Sequence, residues 1–124
     1  MTDAPPPPAQ LEPYVRILGV DGAVTFFSSF GGAELVYSQN PRRSQLAEIM
    51  GLDAARALAE EDARRGLPRR VPLGKPWVAQ VMKSKGLPVA EIARRMHASD
   101  VAVRRWLKQQ PGVRFTDPRQ PSLF

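Results

Sequence analysis

Residues 88–108 read Pro88-Val-Ala-Glu-Ile-Ala-Arg-Arg-Met-His-Ala-Ser-Asp-Val-Ala-Val-Arg-Arg-Trp-Leu-Lys108, and this stretch decides the fold of the second half of the chain. Pro88 starts a helix, since its fixed φ suits a first turn whose N–H groups lack partners anyway. Val89, Ile92, Ala93 and Met96 follow at i, i+3, i+4 and i+7, one continuous apolar face. His97-Ala98 is a turn, and Ser99 is a good N-cap for the next helix. In that helix Val103, Trp106 and Leu107 point one way, while Asp100, Val101, Arg104, Arg105 and Lys108 lie largely on the other side. Many turns of this kind place glycine where His97 stands, because the residue takes a left-handed conformation. Histidine tolerates positive φ better than most residues.

A third helix precedes these two. Pro76 suits a first helical position, Trp77, Val78, Val81 and Met82 form an apolar stripe, and Gly86 ends it. Residues 76–110 therefore form a three-helix helix-turn-helix domain. Two short helices joined by a three- or four-residue turn present the second as a protruding rod whose N-terminal half can reach base edges in a major groove. Arg104 and Arg105 have the planar fork that suits guanine O6/N7 or phosphate. Ser99, Asp100, Val101, Ala102 and Lys108 complete the expected reading surface, and Lys83, Lys85, Arg94 and Arg95 flank it in positions to track the DNA backbone.

Charge is distributed to match. The net charge of the 124 residues is +6. Residues 1–63 carry four basic and nine acidic side chains, a net of −5, whereas residues 64–124 carry 14 and three, a net of +11. A basic half this concentrated points to a polyanion, and nucleic acid is the default. There is no cysteine, which removes disulfides, thiolate zinc sites and thiol nucleophiles together. His97 is the only histidine and has no evident ligand partner. Glu60, Glu61 and Asp62 are consecutive, so they diverge around a helix and read as a solvated face rather than a metal cage. No catalytic residue, metal site or cofactor is expected. No apolar run approaches the roughly 20 residues of a membrane helix, and the start, Met-Thr-Asp-Ala-Pro-Pro-Pro-Pro, does not read as a signal peptide. A cytoplasmic protein is expected.

The first half carries an internal echo. Residues 1–13 read as a disordered proline-rich tail. After Gly19, Asp21 begins a helix that carries Val24, Phe26, Phe27 and Phe30, which Gly31-Gly32 stops. Ala33-Glu-Leu-Val-Tyr37 has strand composition, and Asn40-Pro41 is a turn signal. About 32 residues on, Ile49-Met-Gly-Leu-Asp-Ala-Ala repeats Ile17-Leu-Gly-Val-Asp-Gly-Ala. A second helix runs to about Arg65, and Leu67-Pro-Arg-Arg-Val71 follows as a poor, edge-type strand. The expected fold class is mainly α. Residues 14–75 form a helix–strand dimerisation module with two short strands that pair within or between chains. Residues 76–110 form the helix-turn-helix, and residues 111–124 a C-terminal extension. A core this small is commonly supplemented by a second copy.

With these residues laid out, the chain resembles the Mor transcription activator family of Mu-like phages and prophages. The likeness rests on Phe30-Gly-Gly-Ala-Glu-Leu-Val-Tyr37, the helix-turn-helix at 88–108 and the closing Gln120-Pro-Ser-Leu-Phe124, in that order. The resemblance implies a homodimer in which residues 33–37 form the dimer strand, with Phe26, Phe27, Phe30, Ala33, Leu35, Val36 and Tyr37 as contact residues. It also implies double-stranded DNA as ligand, a dyad-symmetric site, and transcription activation through host RNA polymerase. Two other readings stay open: a phage packaging or recombination accessory protein with the same reader, and a protein-interaction adaptor that binds no DNA.

Overall fold

The computed structural model describes residues 4–37 and 44–109. A 3-10 turn, Ala9–Leu11, leads into six helices: α1 (Glu12–Phe30), α2 (Gln45–Met50), α3 (Leu52–Arg65), α4 (Lys75–Ser84), α5 (Val89–Met96) and α6 (Asp100–Lys108). The protein is mainly helical, but the expected strands are corrected. Among the described residues there is no strand, only one isolated antiparallel bridge between Glu34 and Arg70. The bridge is held by Leu35 N–H to Arg69 O at 2.7 Å and Val71 N–H to Ala33 O at 2.9 Å. The two extended arms meet within the chain but pair too briefly to make a ribbon. Pro68, without an N–H, sits at the head of one arm and limits its pairing. The Asn40-Pro41 turn and residues 111–124, including the closing Gln120–Phe124 motif, lie outside the described residues.

Glycine shapes the first half. The helical path of α1 breaks at Gly19, at φ 78° and ψ 170°, and α2 meets α3 at Gly51, at φ 94° and ψ 154°. A Cβ would meet nothing within 4 Å at either position, so the requirement is backbone conformation, not space. The echo seen in the sequence is thus an echo in structure: helix, positive-φ glycine, helix, then an extended arm. The helix expected to start at Asp21 has a helical arm before Gly19 as well. That arm folds back. Tyr14 and Phe26 are 12 positions apart, which on a straight helix would separate them by roughly 18 Å, yet their rings stack with centroids 5.3 Å apart. Phe27 meets Tyr14 edge-on at 5.4 Å, and Trp77 of α4 meets Phe27 at 6.2 Å. Each such pair adds about 0.5–1.5 kcal/mol beyond simple area burial.

This aromatic group is the centre of a core that also holds Leu11, Phe30, Tyr37, Leu46, Leu58, Val71, Val78 and Val81. The expectation of a disordered tail through residue 13 is therefore corrected for its described part. Leu11 is buried, and the carbonyl of Pro5 accepts a 2.9 Å hydrogen bond from the Trp77 indole. Glu61 is likewise not on a solvated face. It is 4% exposed, and its carboxylate accepts a 3.1 Å hydrogen bond from Arg16, so it ties α3 to α1. Asp62 accepts from the Leu67 N–H at 2.8 Å and closes the end of α3, while Glu60 stays exposed.

Residues expected to form a dimer contact divide by burial. Phe26, Phe27, Phe30 and Tyr37 are buried in the chain's own core; Leu35 is half-buried, and Ala33 and Val36 are exposed. The hydroxyls of Tyr14 and Tyr37 are buried and neither completes a well-formed hydrogen bond. Burial pushes both phenols above their ordinary value, and the neighbouring Tyr14 pushes Tyr37 further. The folded state then holds these protons more tightly than the unfolded chain. The associated stability is complete below the ordinary phenol pKa of 10.0 and declines as pH rises above it. Thermal melts from about pH 9 to about pH 11 should show a falling Tm, and Tyr37→Phe should reduce the fall. An unchanged pH dependence in Tyr37→Phe would show that Tyr37 titrates normally.

Candidate nucleic-acid interface

The second core is small and lies under the helix-turn-helix. Ala79 of α4, Ile92 and Ala93 of α5 and Val103 of α6 are buried together, with Leu87, Met96, Trp106 and Leu107 packed around them. Trp77, Val78 and Val81 of α4 belong to the first core. Helix α4 thus carries both cores on different faces and fixes α5 and α6 to the rest of the protein.

Local signals set the geometry of the turn. His97 takes the left-handed conformation, φ 53° and ψ 48°, the one non-glycine residue with positive φ among those described. The Ala98 N–H closes the turn onto the Ala93 carbonyl at 2.9 Å. Ser99 Oγ then accepts from the Ala102 N–H at 3.0 Å, so it caps α6. The other end of α6 is held from α4, a contact the sequence pattern did not reveal. The Gln80 amide donates to the carbonyls of Trp106 at 2.9 Å and Gln109 at 3.0 Å. The Gln109 N–H also reaches the Trp106 carbonyl at 3.2 Å, so Gln80 reinforces the end of the helix, and no short-range signal marks a residue 26 positions away for that task.

With Val103 buried and Trp106 and Leu107 half-buried beneath it, α6 turns Val101, Arg105 and Lys108 outward at i, i+4 and i+7, all exposed. Arg104 and Asp100 lie beside this stripe and approach each other to 4.0 Å. Ala102 is half-buried at the edge. Arg105, Lys108 and Lys83 have no ion-pair or hydrogen-bond partner among the described residues. The other expected flanking cations are engaged. Lys85 pairs with Asp21 of α1. Arg95 donates to Glu91 at 2.8 Å, and Arg94 donates to the same carboxylate at 3.2 Å through Nε. Hydrogen bonds from Arg95 and then Arg94 hold the Glu91 carboxyl below its ordinary range.

Lys75 is a basic residue that the spacing did not single out. It starts α4 and lines, with Arg95 and His97, a cleft of about 230 Å³ floored by Phe27, Val78 and Met96. No group of three or more His, Asp or Glu among the described residues is placed to hold a metal ion. No helix among the described residues is long and apolar enough to cross a membrane.

The two ends of α6 can be tested separately from DNA. Gln80→Ala should lower stability by about 1 kcal/mol by removing the side-chain donor from the Gln109 carbonyl and leaving the Trp106 carbonyl with the Gln109 N–H alone. Ser99→Ala should cost about 1 kcal/mol by removing the cap. Urea midpoints measure both, and a Gln80→Ala midpoint equal to wild type would show that solvent caps α6 equally well. No family model, no curated protein and no solved structure matches this chain.

Proposed function

We propose that this protein is a sequence-specific, double-stranded DNA-binding transcription regulator that acts in the cytoplasm as a homodimer and lays α6 in the major groove. The observation that carries the reading is the outward stripe of α6. Arg105 and Lys108 are exposed and without a partner among the described residues, on a helix capped at both ends, while Val103, Trp106 and Leu107 hold it from beneath. A guanidinium in that position can bond guanine O6 and N7 in one plane. Lys108, nearer the end of the helix, suits phosphate. The net charge of +11 over residues 64–124 supplies the long-range attraction. Activation of phage or prophage genes through host RNA polymerase rests on the resemblance carried by residues 30–37 and 88–108. A second copy would set two α6 readers over the halves of a dyad-symmetric site.

Selection of binding sites from random DNA tests this directly. The recovered sites should show dyad symmetry, with half-sites about one helical turn apart. Affinity should fall steeply with salt, with a slope of about −0.9 per phosphate neutralised. Arg105→Ala should cost about 1–3 kcal/mol and relax preference at one base pair. Failure to retain any duplex at low salt would overturn the proposal, and equal losses for Arg105→Ala on every sequence would move Arg105 from base to phosphate.

A further inference from the structure

Val101 is the feature of α6 that neither stability nor charge explains. It is 69% exposed, one of the four large apolar side chains left open among the described residues. It is the second residue of α6 and stands in the outward stripe, one turn before Arg105. The apolar duties of the helix are already met by Val103, Trp106 and Leu107 on the opposite side. Nor does valine favour the helix here, because a β-branched residue ranks well below alanine, lysine or glutamate in an exposed turn. The same branching gives the side chain one strongly preferred rotamer in a helix, and the Ser99 cap fixes the turn that carries it. Val101 is therefore a rigid pair of methyl groups, held outward among charged neighbours, where the fold gains nothing from it.

We infer that Val101 reads the 5-methyl group of a thymine, within about three base pairs of the guanine read by Arg105. The inference rests on the proposed entry of α6 into the major groove. Among the four base edges exposed there, thymine alone presents an apolar group. Four helical residues advance about 6 Å, and stacked base pairs about 3.4 Å each. Val101 and Arg105 thus address bases about two steps apart. Asp100 and Arg104 approach each other to 4.0 Å at the side of the stripe, off the line that Val101 shares with Arg105 and Lys108. The half-site is specified by one methyl contact and one bidentate hydrogen-bond contact, a pair that distinguishes thymine from cytosine as well as guanine from adenine.

The test replaces each thymine of a duplex selected from random DNA, one at a time, with deoxyuridine, which keeps the hydrogen-bonding edge and lacks only the methyl group. Wild-type protein should lose about fourfold in affinity at one thymine per half-site, the weight of one buried methyl, and should be indifferent at the others. Val101→Ala should bind the thymine duplex more weakly and show no difference between thymine and uracil at that position, with a melting temperature no lower than wild type, because the side chain is exposed and alanine favours the helix. Uracil tolerated at every thymine, or a thymine preference that survives Val101→Ala, overturns the assignment. If Arg105→Ala still loses affinity in that case, only the role of Val101 falls. If the wild-type protein prefers no duplex over any other, the groove-reading proposal falls with it.

Discussion

The structure depends on one helix being buried from two sides. Helix α4 gives Trp77, Val78 and Val81 to the aromatic core and Ala79 to the core under α6. Its Gln80 reaches across to close α6. A small domain rarely builds two separate cores, since each would bury little surface and support little stability. Sharing α4 lets each core contribute to the other's order. It also removes the freedom that a linker would give α6, which matters if α6 is the recognition helix proposed above. A recognition helix must arrive at the groove with its side chains already placed, because ordering them on binding subtracts from affinity. The position of α6 is therefore set by the packing of α1 and α4, far from any base it would touch.

The first core is possible because glycine lets a helix fold back on itself. Without the break at Gly19, Tyr14 would stand well away from Phe26, and the ring stack between them could not form. The second glycine, Gly51, makes the same joint between α2 and α3. Buried Glu61 and its partner Arg16 then link the two joints, one residue from each unit. A lone carboxylate in that position would be costly, so the pair specifies how α1 lies on α3 as much as it stabilises the contact.

Legibility in the sequence followed the range of the interaction. The path from Pro88 to Lys108 could be read because its signals are local: apolar residues at helical spacing, a serine cap, and a residue that tolerates positive φ. The glycine joints were visible as a repeated phrase but not as helix breaks, because the helical arm before Gly19 has no cap of its own and begins beside a proline run. The absence of strands among the described residues is hidden from the sequence for a related reason. Ala33-Glu-Leu-Val-Tyr37 has strand composition, but strand formation also needs a partner of adequate length, and the only partner among the described residues, around Arg70, follows Pro68. Glu61, Gln80 and Pro5 were out of reach altogether. Their partners lie 45, 26 or 29, and 72 positions away, and no periodicity encodes such distances.

Acidic side chains pair with several of the cations around α6. Glu91 holds Arg94 and Arg95, Asp21 holds Lys85, and Asp100 stands near Arg104. These pairs are largely exposed, where an ion pair contributes about 0–1 kcal/mol. A phosphate can take such a cation from its carboxylate at little cost, so pairing orders these side chains without withdrawing them. Arg105 and Lys108, on the face that would point into the groove, have no carboxylate to leave among the described residues. The division is physically sensible: flanking cations that meet a mobile, repetitive backbone tolerate an exchange of partners, whereas a side chain that must find one base edge gains most from being free and already in place.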